Sequence, residues 1–136
     1  MKKIIIDTNI IFSLLLSKTT ALREIFFKKE LKFYTCKFVI VELFKYKEKI
    51  IKSSSLSEED IFELLYMILK RINIYDEAMI GEDSLRRAFN LCKDIDEKDT
   101  LIVALSLELN AEIWTGDKKL MEGLKQKGFT KFLFIE

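Results

Sequence analysis

Residues 94–120, DIDEKDTLIVALSLELNAEIWTGDKKL, carry the reading that decides the fold. An acidic knot (Asp94, Asp96, Asp99) leads into an apolar helix pattern. A short strand follows at Ala111-Glu112-Ile113-Trp114, and then a second acidic turn at Asp117. A helix of about a dozen residues between strands is long enough to run back along a sheet as a crossover. The acids at its start and the acid after the next strand meet on one condition. The helix N-terminus and the strand's carboxyl end must share one face of the domain.

Working outward, Lys3-Ile4-Ile5-Ile6 is β-branched and apolar on both faces, as in a strand buried in a parallel sheet. It ends at Asp7-Thr8-Asn9, and the apolar patch Ile10 to Leu16 begins at once. Asp7 therefore sits at the carboxyl end of a strand, where ligands bind in open α/β sheets. Taken alone, Asp7 reads more simply as a cap on the next helix. Further along, Ala21 to Lys29 reads as a helix and Leu31 to Tyr34 as a strand. Thr35 is placed to cap a helix from about Lys37 to Lys52. Glu42 interrupts that helix's apolar run, a costly position unless the carboxylate is paired, hydrogen-bonded, metal-bound or turned to solvent. Ser53-Ser54-Ser55 is a loop, and Ser57-Glu58-Glu59-Asp60 opens a helix over Ile61 to Arg71 in the manner of a capping box. Ile72 to Tyr75 reads as a strand, and Gly81-Glu82-Asp83 precedes a helix through Cys92. After the quoted stretch come a short helix from Leu120 to Lys127, ended by Gly128, and a closing strand over Phe132 to Ile135. Strands alternate with helices without repeat or linker. The expectation is one domain over residues 1–136, a three-layer α/β/α sandwich with a mainly parallel central sheet.

The composition narrows the chemistry. With 49% hydrophobic and 33% charged residues the chain is globular and not disordered, and a net charge of +1 neither demands nor forbids a polyanionic partner. There is no histidine, which excludes Ser-His-Asp triads, imidazole acid–base chemistry and the usual zinc sites. Cys36 and Cys92 form no CxxC pattern and read as reduced, packed residues. No signal peptide is visible and no apolar run approaches membrane length, so the cell interior is the expected compartment.

The carboxylates carry the functional signal. Asp96 and Asp99 at the helix start, and Asp117 in Thr115-Gly116-Asp117, each read singly as helix caps. On one parallel sheet, Asp7 and Asp117 follow strands, while Glu42 and Asp99 occupy early helical turns, and all belong at the carboxyl edge, Asp99 on condition that its helix starts there as a crossover helix would. Four acids converging there without a compensating base would repel one another strongly unless a cation joined them. Hard oxygen ligands of this kind suit Mg²⁺ or Mn²⁺ and support metal-assisted attack of water on a phosphodiester.

The segments IIIDTNI (4–10), VIVELF (39–44) and EKDTLIVALSLELNAEIWTGDKKL (97–120), in that order and spacing, resemble the PIN domains, a family that includes the VapC-type toxins of toxin–antitoxin pairs. The resemblance spans nearly the whole chain. Leu105-Ser106 departs from the family pattern where a second Ala is common, which concerns packing. The resemblance implies a divalent-metal-dependent ribonuclease, with Asp7, Glu42, Asp99 and Asp117 binding Mg²⁺ or Mn²⁺. Asp96 is an extra acid that either joins them or caps its helix. Thr8, Asn9 and Thr115 look like groups that orient the carboxylates through hydrogen bonds. The implied partners are an RNA substrate, an antitoxin that fills the cleft, and a second copy of the chain, and no membrane. Eleven Phe and four Tyr also favour a homodimer. Lys118 and Lys119 are the candidate RNA contacts because they adjoin Asp117, and the lysines after Glu42 read as a solvated helix face.

Two other readings compete. One is a PIN-like module that binds RNA or a partner without cutting. The other is a haloacid-dehalogenase-like phosphatase with Asp7 as nucleophile. Asn9 stands where that enzyme class needs its second aspartate.

Overall fold

The chain, described over residues 1–16 and 20–133 by a computed structural model, builds four strands into one sheet. The elements are β1 (Lys2–Ile6), α1 (Thr8–Leu16), α2 (Ala21–Phe26), β2 (Leu31–Cys36), α3 (Phe38–Lys45) and α4 (Lys47–Ser53). They continue with α5 (Glu58–Arg71), β3 (Ile72–Tyr75), α6 (Glu82–Cys92), α7 (Thr100–Leu109), β4 (Glu112–Trp114) and α8 (Lys118–Gln126). Short 3-10 turns lie at Glu77–Met79 and Glu97–Asp99.

The sheet order is β3-β2-β1-β4, and every pairing is parallel. Because side chains alternate along a strand, the Ile4-Ile5-Ile6 run serves both faces. Ile4 and Ile6 join a core with Leu14 of α1, Phe26 of α2, Val39 of α3 and Ile68 of α5. Ile5 joins the opposite core with Ala88 of α6, Val103 of α7 and Leu120 of α8. Helices therefore cover both faces, which is the three-layer α/β/α arrangement. Among the described residues no helix is long and apolar enough to cross a membrane.

The topology fixes where a site can form. From β1 the chain steps outward to β2 and β3, then returns to place β4 on the other side of β1. The connections leaving β1 and β4 diverge, so a crevice opens at the carboxyl ends of these neighbours.

Local structure departs from the sequence reading in four places. The helix expected over Lys37 to Lys52 is two helices, broken at Tyr46, whose backbone (φ −102°, ψ 11°) leaves the helical region. The break lets the apolar half pack on the sheet, while in the charged half only Ile50 is fully buried. Thr35 does not cap a helix. It is buried in β2, donates to the Ile6 carbonyl at 2.8 Å, and leaves Glu77 to accept from the Phe38 N–H at 3.1 Å. The helix from Ala21 ends at Phe26, and the strand from Leu31 runs on to Cys36. Of the expected closing strand, Phe132 forms a parallel bridge with Ile113, and Phe134 and Ile135 lie outside the described residues. At Gly128 the backbone takes φ 89°, a left-handed turn that glycine adopts without steric cost.

Candidate active site

The crevice is built from the ends of β1 and β4. The Asp7 N–H donates to the Trp114 carbonyl at 3.1 Å, extending the ladder one residue past β1. This sets the buried Asp7 carboxylate beside Thr115. Asp7 Oδ1 accepts from the Thr8 N–H at 2.7 Å, and Oδ2 accepts from the Thr115 hydroxyl at 2.8 Å. The Thr115 hydroxyl oxygen also accepts from the Asp117 N–H at 3.1 Å. One threonine thus ties the acid after β1 to the turn after β4. Asp117 Oδ1 in turn accepts from the Leu120 N–H at 3.1 Å and caps α8.

Glu42 enters from α3, half-buried, and its Oε1 accepts from the Thr8 hydroxyl at 2.9 Å. Residue 8 therefore serves two acids, Asp7 through its backbone and Glu42 through its side chain. Asp99 ends the 3-10 turn before α7, and its side chain makes no capping hydrogen bond. Asp96 does cap that turn, accepting from the Lys98 N–H at 3.0 Å.

Asp7, Glu42, Asp96, Asp99 and Asp117 line one pocket of about 440 Å³, and Thr8 and Asn9 line it with them. Phe12, Phe38, Leu101 and Ile102 supply apolar wall, and Lys98 supplies a cation. The charges feel one another. Burial pushes the Asp7 carboxyl up, hydrogen bonds from Thr115 and Thr8 oppose this, and the charges on Asp117 and Glu42 add to the rise. Asp99 is pushed up to about 7, first by burial and then by Asp7, Asp96, Asp117 and Glu42.

Sharing a pocket is not the same as forming a cage. Among the described residues, no three His, Cys, Asp or Glu side chains are gathered closely enough, as they stand, to hold one metal ion. The hydrogen bonds account for this. Asp117 and Asp96 are drawn back to cap their own turns, and Glu42 leans on Thr8. Mutual repulsion favours the same spread.

Other residues singled out from the sequence fall at the rim or outside. Asn9 lines the pocket and is exposed, with no side-chain hydrogen bond to a carboxylate among the described residues. Lys118 and Lys119 lie exposed in the first turn of α8 and do not line the pocket. Asp94 stands apart, paired with Lys127. Sequence reasoning passed over Lys98, Phe12 and Phe38. The two phenylalanines were findable: Phe12 follows Thr8 by four residues and Phe38 precedes Glu42 by four, so each shares a helix face with a site residue.

A family model described as PIN domain matches residues 5–134. Among solved structures, the chain resembles one in the crystal structure of VapBC2 from Rickettsia felis bound to a DNA fragment from their promoter. That match has a TM-score of 0.68 and 18% identity, and covers 96% of each chain. At that identity the likeness is one of fold. No curated protein matches the chain.

Proposed function

This chain belongs to the PIN domain family, and from that premise we propose that it is a divalent-metal-dependent endoribonuclease, the toxin of a toxin–antitoxin pair. The observation that carries the reading is a single pocket lined by Asp7, Glu42, Asp96, Asp99 and Asp117, acids brought together from the end of β1, α3, the turn before α7 and the turn after β4. Their crowding pushes the Asp99 carboxyl up, first by burial and then by the neighbouring charges. That site gains from a cation.

Asp7, Glu42, Asp99 and Asp117 would hold Mg²⁺ or Mn²⁺, with Asp96 as a fifth oxygen donor, and the all-oxygen donor set fits such hard ions. When bound, the ion supplies charge neutralisation at the phosphodiester and a water activated for attack. The chain's own groups do the rest. Thr115 fixes the Asp7 carboxylate and the Asp117 turn, and Thr8 fixes Asp7 and Glu42. Asn9 extends that polar rim. Asp99 retains a proton on part of the molecules at neutral pH and releases it as a cation enters. Lys98 meets a phosphate oxygen from the pocket wall, while Lys118 and Lys119 beside Asp117 meet the RNA backbone further out. Phe12 and Phe38 limit water around the reacting phosphate.

The similar solved structure is a VapBC2 assembly on promoter DNA. We extend that arrangement to this chain as an antitoxin partner covering the pocket, in the cell interior. Exposed Phe44, Phe62, Tyr66 and Phe89 support a homodimer as well.

The test is cleavage of a labelled single-stranded RNA with Mg²⁺ or Mn²⁺, with and without EDTA, by wild type and Asp7→Asn. Cleavage that needs the metal and is lost in the variant is expected. RNA left intact by wild type, or cut equally by Asp7→Asn, overturns the reading. The binding-only alternative draws on the spread of the carboxylates, and it predicts RNA retention without cleavage.

A further inference from the structure

We propose that the groove between α1 and α4 is a nucleoside subsite. It takes the base of a nucleotide adjoining the phosphodiester held at the carboxylates, and it rests on the ribonuclease reading above. Phe12, Tyr46, Lys49 and Ile50 line a groove of about 410 Å³. Phe12 also lines the acidic pocket, so this one residue borders both cavities. Phe12 and Tyr46 meet edge to face, with centroids 6.0 Å apart and planes at 82°. They form an aromatic corner whose second wall is set by the helix break at Tyr46. The Lys45 ammonium lies 5.3 Å from the Tyr46 ring centroid, and Lys49 borders the groove itself.

Rings interleaved with ammonium groups match the chemistry of single-stranded nucleic acid. A base stacks on an aromatic face while the neighbouring phosphates meet the cations. An apolar protein side chain would fill the groove but leave both lysines without counter-charge. Among the described residues neither Lys45 nor Lys49 makes an ion pair with an acid. RNA satisfies rings and charges together, a base against the rings and phosphates against the lysines, and its chain continues to the acids. An acidic peptide in the groove would instead leave KM insensitive to the abasic position. A strand lying across Phe12 would put its phosphodiester over the acids and its next base against Tyr46.

The experiment pairs a change in the protein with a change in the RNA. The cleaved bond is mapped first, and a single abasic residue is then walked along the oligonucleotide on either side of it. KM and kcat are measured for wild type, Tyr46→Ala, Tyr46→Phe and Lys49→Gln. One abasic position next to the cleaved bond should raise the wild-type KM roughly ten-fold. Tyr46→Ala should raise KM similarly for intact RNA and show no further loss on the abasic strand, with kcat and Mn²⁺ affinity retained. Tyr46→Phe should restore binding, and Lys49→Gln should lower the salt dependence of binding by about one phosphate contact. If wild type cleaves and Tyr46→Ala keeps its KM, or the two losses simply add, the subsite is overturned while the nuclease reading stands. If wild type neither cuts nor retains the oligonucleotide, both fall.

Discussion

Thr115 joins the two halves of the site with a single hydroxyl, donating to Asp7 and accepting from the Asp117 N–H. Thr115→Val keeps the shape and removes both bonds. It should destabilise the protein by about 1–3 kcal/mol in thermal melting. It should also weaken Mn²⁺ binding by roughly 10–100-fold, because the acid it orients is set free. Asp99→Asn should act in the opposite direction on stability. Without metal at about pH 8 it should stabilise by on the order of 1 kcal/mol, less than full burial would give because the carboxylate still meets solvent. Cleavage should be lost all the same, and melting in EDTA beside an RNA assay separates the two effects. A marked loss of stability in that variant would mean that Asp99 serves chiefly its helix. At this scale the sequence was readable where a residue's place followed from a strand end, as with Asp7 and Asp117. Lys98 was not readable, because a 3-10 turn and not the helix itself sets its direction. Phe12 and Phe38 passed for core, as phenylalanine in an apolar helix ordinarily is.

Among the elements, α8 packs tightly at Gly123. A Cβ on Gly123 would stand 2.6 Å from Ile95 Cδ1 and 2.9 Å from its Cγ1, so the helix lies directly on the loop that leads to Asp96 and Asp99. Lys127 fastens the same contact, donating to the Leu91 carbonyl at 2.8 Å and pairing with Asp94. Gly123→Ala would gain about 1 kcal/mol of helix propensity, yet the clash should outweigh it and leave a net loss of about 1 kcal/mol, read by denaturant midpoint. A stabilised variant would show that Ile95 simply moves aside. The alternation of strands and helices was legible because apolar runs and capping residues mark it, as at Ser57, which accepts from the Asp60 N–H at 3.1 Å. The break at Tyr46 was not. The chain contains no proline, and the residues around Tyr46 all tolerate a helix, so packing and not local preference ends α3 there.

Across the whole molecule, the site exists because β4 lies on the opposite side of β1 from β2, and the parallel order brings distant acids to one edge. That crowding should appear in the pH dependence of stability. The Asp99 carboxyl rises from 3.8 to about 7 on folding, and Asp7 moves in the same direction. Between those values the folded chain holds protons that the unfolded chain has lost, so stability falls as pH rises and levels off just above about 7, to fall again only beyond 9.0, where the raised thiols of Cys36 and Cys92 come into play. Asp76 and Asp94 are lowered and act only below 3.8, outside this window. In EDTA the melting temperature should be a few degrees higher at about pH 5 than at about pH 8. Saturating Mn²⁺ should shrink the difference, since a cation favours the ionised acids. The most direct test of the central claim is calorimetric titration of Mn²⁺ into wild type and Asp7→Asn near neutral pH. Saturable binding with proton release in wild type, lost in the variant, is the predicted result. Absence of binding in wild type, or equal binding in Asp7→Asn, would contradict it.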